Sequence, residues 1–296
     1  MRRSRSDRPI RLSGRPRGFT LVEIVIVIVL TSVIAAVVAV FITKPVQGYV
    51  DASRRAELTD AADTALRRIG RDLRLALPNS VRNAGDKCIE FIPTTTGGRY
   101  RAQCSTQPCP ATEDALDFTT ADTAFDVLGG LNSAPSRGDY IVINNTGSGT
   151  SDAYAAGNTV RTTVGTGATA ARIPLSPAFQ FGYESPSNHF FVVPGTDQAV
   201  SYVCSNPGVD SAGSGTGILY RISGYGFVAA PTGCQAIDPS TTPVLAKNVS
   251  QCSFSYAANS APSVFQRYAI VSLRLTLAQS NEAVSLIHQV HVSNVP

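Results

Sequence analysis

Few residues in this chain have the types and spacing that chemistry needs. Of its 296 residues three are histidine: His189, His288 and His291. His288 shares a face with Leu286 and Val290 in a period-two apolar pattern, the setting of a core or edge histidine. His291 falls on the opposite face, so the two make a poor His-x-x-His metal site. Asp114, Asp117, Asp122 and Asp126 are close enough to suggest calcium, but they lack the order, the Gly and the Glu of an EF-hand. Gly147-Ser148-Gly149 and Gly213-Ser214-Gly215-Thr216-Gly217 lack the Gly-Lys-Ser/Thr that grips a nucleotide and read as flexible loops. No nucleophile elbow is present, and no carboxylate pair stands out from ordinary surface acids. The expectation is no catalytic, cofactor-binding or metal-binding residues, and no enzyme.

Two other sets of residues carry more information. The first is six cysteines, Cys88, Cys104, Cys109, Cys204, Cys234 and Cys252, all downstream of a long apolar run. That placement suits a periplasmic or extracellular domain in which disulfides persist. Full pairing needs at least one bridge between the two groups of three, and Cys204 with Cys234 is the local bridge expected. The second is a single carboxylate, Glu23. From Phe19 to Thr43 every other residue is apolar or small and uncharged, and Lys44 closes the run. Twenty such residues in a helix span about 30 Å, the thickness of a bilayer core. A carboxylate at the centre of such a helix costs about 2.5 to 3.5 kcal/mol and is rarely kept without a partner. A cut before Phe19 creates one, because the new α-amino group of a neighbouring chain is a cation that Glu23 can meet in a packed bundle. The plain alternative is a carboxylate at the membrane edge that reaches water or is protonated.

Charge supports such a cut. The formal net charge is +4, from 25 basic and 21 acidic residues. Seven arginines (Arg2, Arg3, Arg5, Arg8, Arg11, Arg15, Arg17) and one acid (Asp7) precede Gly18, so the remainder holds 18 basic and 20 acidic side chains, or about −2. No nucleic-acid partner is expected of that remainder. The arginines stay cytoplasmic by the positive-inside rule, which puts the C-terminal part outside. An ordinary signal peptide is cut after its apolar region. Here the only suitable site comes before it, which keeps the apolar helix in the mature protein.

The stretch Gly18-Phe19-Thr20-Leu21-Val22-Glu23, with its basic leader and unbroken apolar helix, resembles the type III signal sequence of type IV pilins and type II secretion pseudopilins. The resemblance implies cleavage between Gly18 and Phe19 by a membrane prepilin peptidase, N-methylation of Phe19, and neutralisation of a neighbouring subunit's amine by Glu23 during assembly. Residues 44–80 and the end of the chain, Cys252 to Tyr256 and Gln266 to Pro296, are similar to minor pilins of the mannose-sensitive haemagglutinin type IV pilus. The plan also resembles J-type minor pseudopilins. The implied partners are other major and minor pilins, the prepilin peptidase, the inner-membrane assembly platform and the lipid bilayer. The implied role is a structural subunit that initiates or caps a pilus, anchored by one pass in the inner membrane before assembly. A ligand-binding tip subunit, an adhesin or a DNA-uptake protein, is the alternative of another class.

The elements that must position these residues follow from periodicity. Pro45 and Gly48 predict a kink or melted turn. Leu58, Ala62, Ala65, Leu66, Ile69, Leu73 and Leu77 recur at helical spacing, so the helix is expected to reach Leu77, where Pro78 stops it. Asp63 with Arg67, and Arg68 with Asp72, are i,i+4 pairs. Arg67, Arg71 and Arg74 make a basic strip that is either a solvated face or a contact for acidic neighbours. Short runs at 88–92, 139–143, 190–193, 199–204 and 217–222 read as strands, and 271–277 with 284–292 as a terminal antiparallel hairpin around Asn281-Glu282. The loops at 144–170 and 205–217 are expected to be exposed and mobile. The predicted fold class is α+β, type IV pilin-like: a long N-terminal helix, transmembrane then amphipathic, packed on an antiparallel β-sheet. The predicted segments are a leader (1–18), the membrane half of the helix (19–43), its amphipathic half (44–77) and a periplasmic β-rich domain (78–296).

Overall fold

The computed structural model describes residues 18–257 and 268–296, so the basic leader and part of the terminal resemblance lie outside the described residues. The chain divides into two compact units at Ser53 and Arg54. The first consists, in its described residues, of the approach to helix α1 (Leu21–Arg74) and the helix up to Ser53. Its large apolar side chains, from Leu21 to Val50, are exposed. α1 passes through Pro45 and Gly48 without interruption, so no melted turn forms there. Proline's fixed φ is a helical one, so its cost is confined to one missing N–H and the crowding of the preceding turn.

In the second unit the last turns of α1 bury Leu58, Ala62, Ala65, Leu66, Ile69, Gly70 and Leu73. This is the apolar stripe read from the sequence. The helix ends at Arg74 rather than Leu77, because Ala76 bridges Pro93 and the Leu77 N–H donates to the Ile92 carbonyl. Pro78 already disfavours a helical Leu77, and the sheet takes the residues released.

Thirteen strands follow among the described residues. The stripe packs on a seven-stranded antiparallel sheet made of β1 (Arg82–Gly85), β2 (Cys88–Phe91), β9 (Val200–Ser205), β10 (Gly217–Ser223), β11 (Val244–Ala257), β12 (Tyr268–Gln279) and β13 (Glu282–Ser293), in that spatial order. Ile89, Phe91, Tyr202, Leu219, Phe254, Val271, Leu273, Leu275 and Val290 join the helix in one core. Gly70 marks the closest approach: a Cβ there would lie 2.9 Å from His288 Nε2 and 3.3 Å from Val290 Cγ2.

Everything between β2 and β9, which are themselves hydrogen-bonded neighbours, forms a second sheet. Its strands are β3 (Thr96–Tyr100), β4 (Asp122–Leu128), β5 (Tyr140–Val142), β6 (Arg161–Thr163), β7 (Arg172–Phe179) and β8 (His189–Val193), ordered β6-β5-β8-β3-β4-β7. The outer strands meet: Val164 bridges Leu175, and the Gly165 N–H donates to the Pro174 carbonyl at 2.8 Å. The sheet thus closes into a small barrel without free edges, filled by Tyr100, Phe125, Ile141, Ile173, Phe181 and Phe190. The expected mobile loop at 144–170 is therefore packed in part: Asn145, Ser151, Ala153, Tyr154, Asn158, Val160, Thr162 and Val164 are buried, while 146–150 are exposed as expected. At 213–217 the glycines are required by close approach. A Cβ on Gly213 would sit 2.0 Å from Asn281 Oδ1, and one on Gly215 2.0 Å from the Asn248 carbonyl oxygen.

All six cysteines pair, as Cys88–Cys234, Cys104–Cys109 and Cys204–Cys252. The expected Cys204–Cys234 bridge is incorrect. β11 shifts register between Val249 and Gln251, and its second half runs beside the β1–β2 turn, where the Phe254 N–H donates to Asp86 and the Cys204 N–H to Lys87. That brings Cys252 to Cys204. The loop after β10 returns over the same hairpin and carries Cys234 to Cys88, which does supply a bridge across the two halves.

The expected Arg68–Asp72 pair also gives way to a tertiary contact. Tyr202 Oη donates to Asp72 Oδ2 at 2.6 Å and Arg221 Nε donates to the same oxygen at 3.3 Å. Asp63 with Arg67 forms as expected, at 2.7 Å. Nearby, buried Glu90 accepts from Arg82 Nη2 at 3.0 Å, while the guanidinium lies 3.4 Å above the Tyr154 ring and donates to the carbonyls of Val228 and Ala229. Burial pushes the Glu90 carboxyl above its ordinary value, with Arg82 and Tyr225 offsetting part of the rise.

Loop closure orders the disulfides. For separations of 146 and 5 residues the chain-entropy relation gives about 5 and about 2 kcal/mol, so Cys88→Ser lowers the denaturation midpoint more than Cys104→Ser, and equal shifts would contradict that ranking. Glu90 makes a pH prediction. Its folded carboxyl titrates above the ordinary 4.5, so its favourable contribution is full below that pH and lost as pH rises through the raised value. The melting temperature of Glu90→Gln should therefore gain on that of the unaltered chain as pH is raised from 4.5, and a constant difference would contradict this.

Candidate functional site

The candidate site is the start of α1, and its geometry follows from local rules. The Ile24 N–H donates to the Thr20 carbonyl at 3.2 Å, the first helical bond, and the Glu23 N–H donates to Thr20 Oγ1 at 3.2 Å. Thr20 is thus the N-cap and Glu23 the third helical residue. Thr-x-x-Glu ahead of an apolar run is a capping-box signature. That signal stood in the sequence, and the reading of Glu23 as a lone membrane carboxylate passed over it. A carboxylate in the first turn also meets the positive end of the helix dipole.

The rest of the span is self-sufficient. Thr31 Oγ1 donates to the Val27 carbonyl at 2.7 Å, Ser32 Oγ to Val29 at 2.9 Å and Thr43 Oγ1 to Ala39 at 2.8 Å. Each hydroxyl is therefore satisfied within the helix, as an apolar surrounding requires. The helix contains an 18-residue window of mean hydropathy 3.2, and none of that window is buried. Glu23 differs from these hydroxyls: its carboxylate has no hydrogen bond or ion pair among the described residues. Gly18 and Phe19 precede the helix, exposed and outside any helix or strand.

The other candidate residues do not assemble into a site. Asp114 and Asp126 both pair with Arg172, and Asp126 also accepts from Arg101 Nε at 3.3 Å. Asp122 accepts from the Asp117 N–H, and Asp117 accepts from the hydroxyls of Thr119 and Thr120 at 2.7 Å each. Those bonds hold the Asp117 carboxyl well below the usual range. The four acids are thus distributed over arginines and turn hydroxyls, and no metal-holding group of His, Cys, Asp or Glu occurs among the described residues. His288 lies half-buried against Gly70 on the core face of β13, and His291 is exposed on the other face. Arg67, Arg71 and Arg74 are exposed, with Arg67 on Asp63.

Residues 14–39 match the family described as the prokaryotic N-terminal methylation motif. No curated protein and no solved structure matches the chain. The plan is thus pilin-like: a methylation motif stands at the head of an exposed apolar helix long enough to cross a membrane, and the last turns of that helix pack on antiparallel sheet.

Proposed function

We propose that this chain is a minor pilin: a prepilin cut between Gly18 and Phe19, methylated on the Phe19 amine, held in the inner membrane by α1, and passed into a type IV pilus as a structural subunit. The observation that carries this reading is Glu23. It is the one charged group in the apolar span 19–43, its carboxylate has no partner among the described residues, and it is the fifth residue after the cut. Methylation leaves the amine protonated at neutral pH, so Glu23 of one subunit can neutralise Phe19 of the next as the helices pack out of water. The charge left after the cut, about −2, and the three disulfides accord with a domain in the periplasm. The prepilin peptidase, the inner-membrane assembly platform and other pilins are the partners this role requires. Its part is to initiate or cap the filament rather than to catalyse.

The finer assignment, to a mannose-sensitive haemagglutinin system, rests on the resemblance of residues 44–80 and of the terminal strands to the minor pilin MshO. The same features favour a J-type minor pseudopilin of type II secretion as the second reading. The pilus subunits or secretion components that co-purify with the chain decide between them.

Mass spectrometry of the mature chain should find an N-methylated Phe19 terminus, and an intact Met1 in peptidase-competent cells would sink the processing step. Glu23→Val should leave cleavage intact and prevent incorporation. Glu23→Gln, which keeps the capping geometry and loses only the charge, should fail equally. Normal incorporation of Glu23→Gln would remove the role given to the carboxylate.

A further inference from the structure

The seven-stranded sheet ends in an open edge whose properties ask for a partner. β12 and β13 are joined by Ser280 and Asn281, both at positive φ (50° and 65°), with Gln279 opposite Glu282. In a two-residue hairpin the flanking pair exchanges both of its hydrogen bonds. Counting from Glu282, every second residue therefore bonds to β12. Ala283, Ser285, Ile287, Gln289, His291 and Ser293 turn their N–H and C=O groups outward. Among the described residues β13 has no second partner strand, and no backbone hydrogen bond engages those outward groups. The barrel has no edge to offer, and the opposite edge of the large sheet, β1, is only four residues long.

This edge also lacks the usual protection. Exposed edges are commonly guarded by Lys, Pro, a bulge or shortness. β13 runs for 12 residues in continuous register, without Lys, Arg or Pro, and Ile287 at its middle is 64% exposed.

A second feature lies at the far end of the same strand. A largely apolar cavity of about 480 Å³ opens between Ser293 and Val295 at the end of β13 and Gly97, Gly98 and Phe191 of the barrel. Arg99 stands at its wall, exposed and with no ion pair among the described residues. Edge pairing provides affinity and a pocket provides choice of side chain, which is how strand addition recognises a peptide.

We infer that β13 is the docking edge for an extended strand of a different pilin subunit, which pairs with the outward groups of 283–293, seats an apolar side chain between β13 and the barrel, and brings a carboxylate to Arg99. The β13 of a second copy does not meet that description, because Glu282, the only carboxylate on that strand, is already held by Arg55 at 2.5 Å. The inference rests on the pilin reading above.

The test uses the full-length chain in cells that assemble the filament, with the photo-crosslinker p-benzoylphenylalanine at Gln289 or, in a parallel strain, at Val29 of the apolar helix. Both positions should yield adducts to other pilin subunits, identified by mass. Ile287→Lys should lower the Gln289 adduct about tenfold, the effect of one unfavourable contact of ordinary size, and leave the Val29 adduct unchanged. Arg99→Glu should lower it as well. A Val29 adduct without a Gln289 adduct, a Gln289 adduct of twice the chain's own mass, or one undiminished by Ile287→Lys overturns the docking edge while leaving the pilin reading intact. Loss of both adducts overturns the two together.

Discussion

The second unit depends on how closely the end of α1 can approach the large sheet. Gly70 lets the helix settle against His288 and Val290, and from that contact the buried stripe Leu58, Leu66, Ile69 and Leu73 faces β2, β9, β11 and β12. Burying four such side chains is worth about 1.5 to 3 kcal/mol each. The exposed Asp63–Arg67 pair adds a few tenths at most. Packing therefore sets the helix on the sheet, and the charged face is left to solvent. The half-buried polar contact across that interface, Tyr202 and Arg221 on Asp72, directs rather than drives the association, since such a pair gains little over well-packed apolar groups.

The barrel is an insertion between two strands that touch, so it must enter and leave the large sheet at one place. The surroundings of that place are the most heavily tied part of the second unit. Cys88–Cys234 and Cys204–Cys252 cross there, Arg82 holds Glu90 and the carbonyls of 228 and 229, and Tyr154 of the barrel segment lies under the same guanidinium. Inserting about a hundred residues into a strand pair risks parting it. The ties keep β2 and β9 registered while the barrel closes on its own core.

The N-terminal unit obeys a different constraint. In water its exposed apolar side chains would be a liability; in a bilayer they are the solvent-matched surface. Each hydroxyl of the span 19–43 bonds within the helix, so Glu23 is left as its one charged group, with no partner for its carboxylate among the described residues. In the proposed pilin role that asymmetry would connect the local geometry at Thr20 to assembly: the cap fixes where the carboxylate stands, and a cut before Phe19 would fix where its cation arises.

Much of this was legible in the chain itself. The exposed apolar helix, the methylation motif at its head, the apolar stripe from Leu58 to Leu73 and the terminal hairpin all rest on local composition or on a period of 3.6 or 2, and such patterns survive in any tertiary context. What sequence could not reach was decided by contacts between distant residues. The closure of the barrel turns on Val164 meeting Leu175 and converts an apparent loop into core. The cysteine pairing turns on a register shift in β11 that carries Cys252 to Cys204. The transfer of Asp72 from Arg68 to Tyr202 and Arg221 needs strands about 130 and 150 residues away. Spacing along the chain determines which residues can share a face, but only the packed fold determines which faces meet.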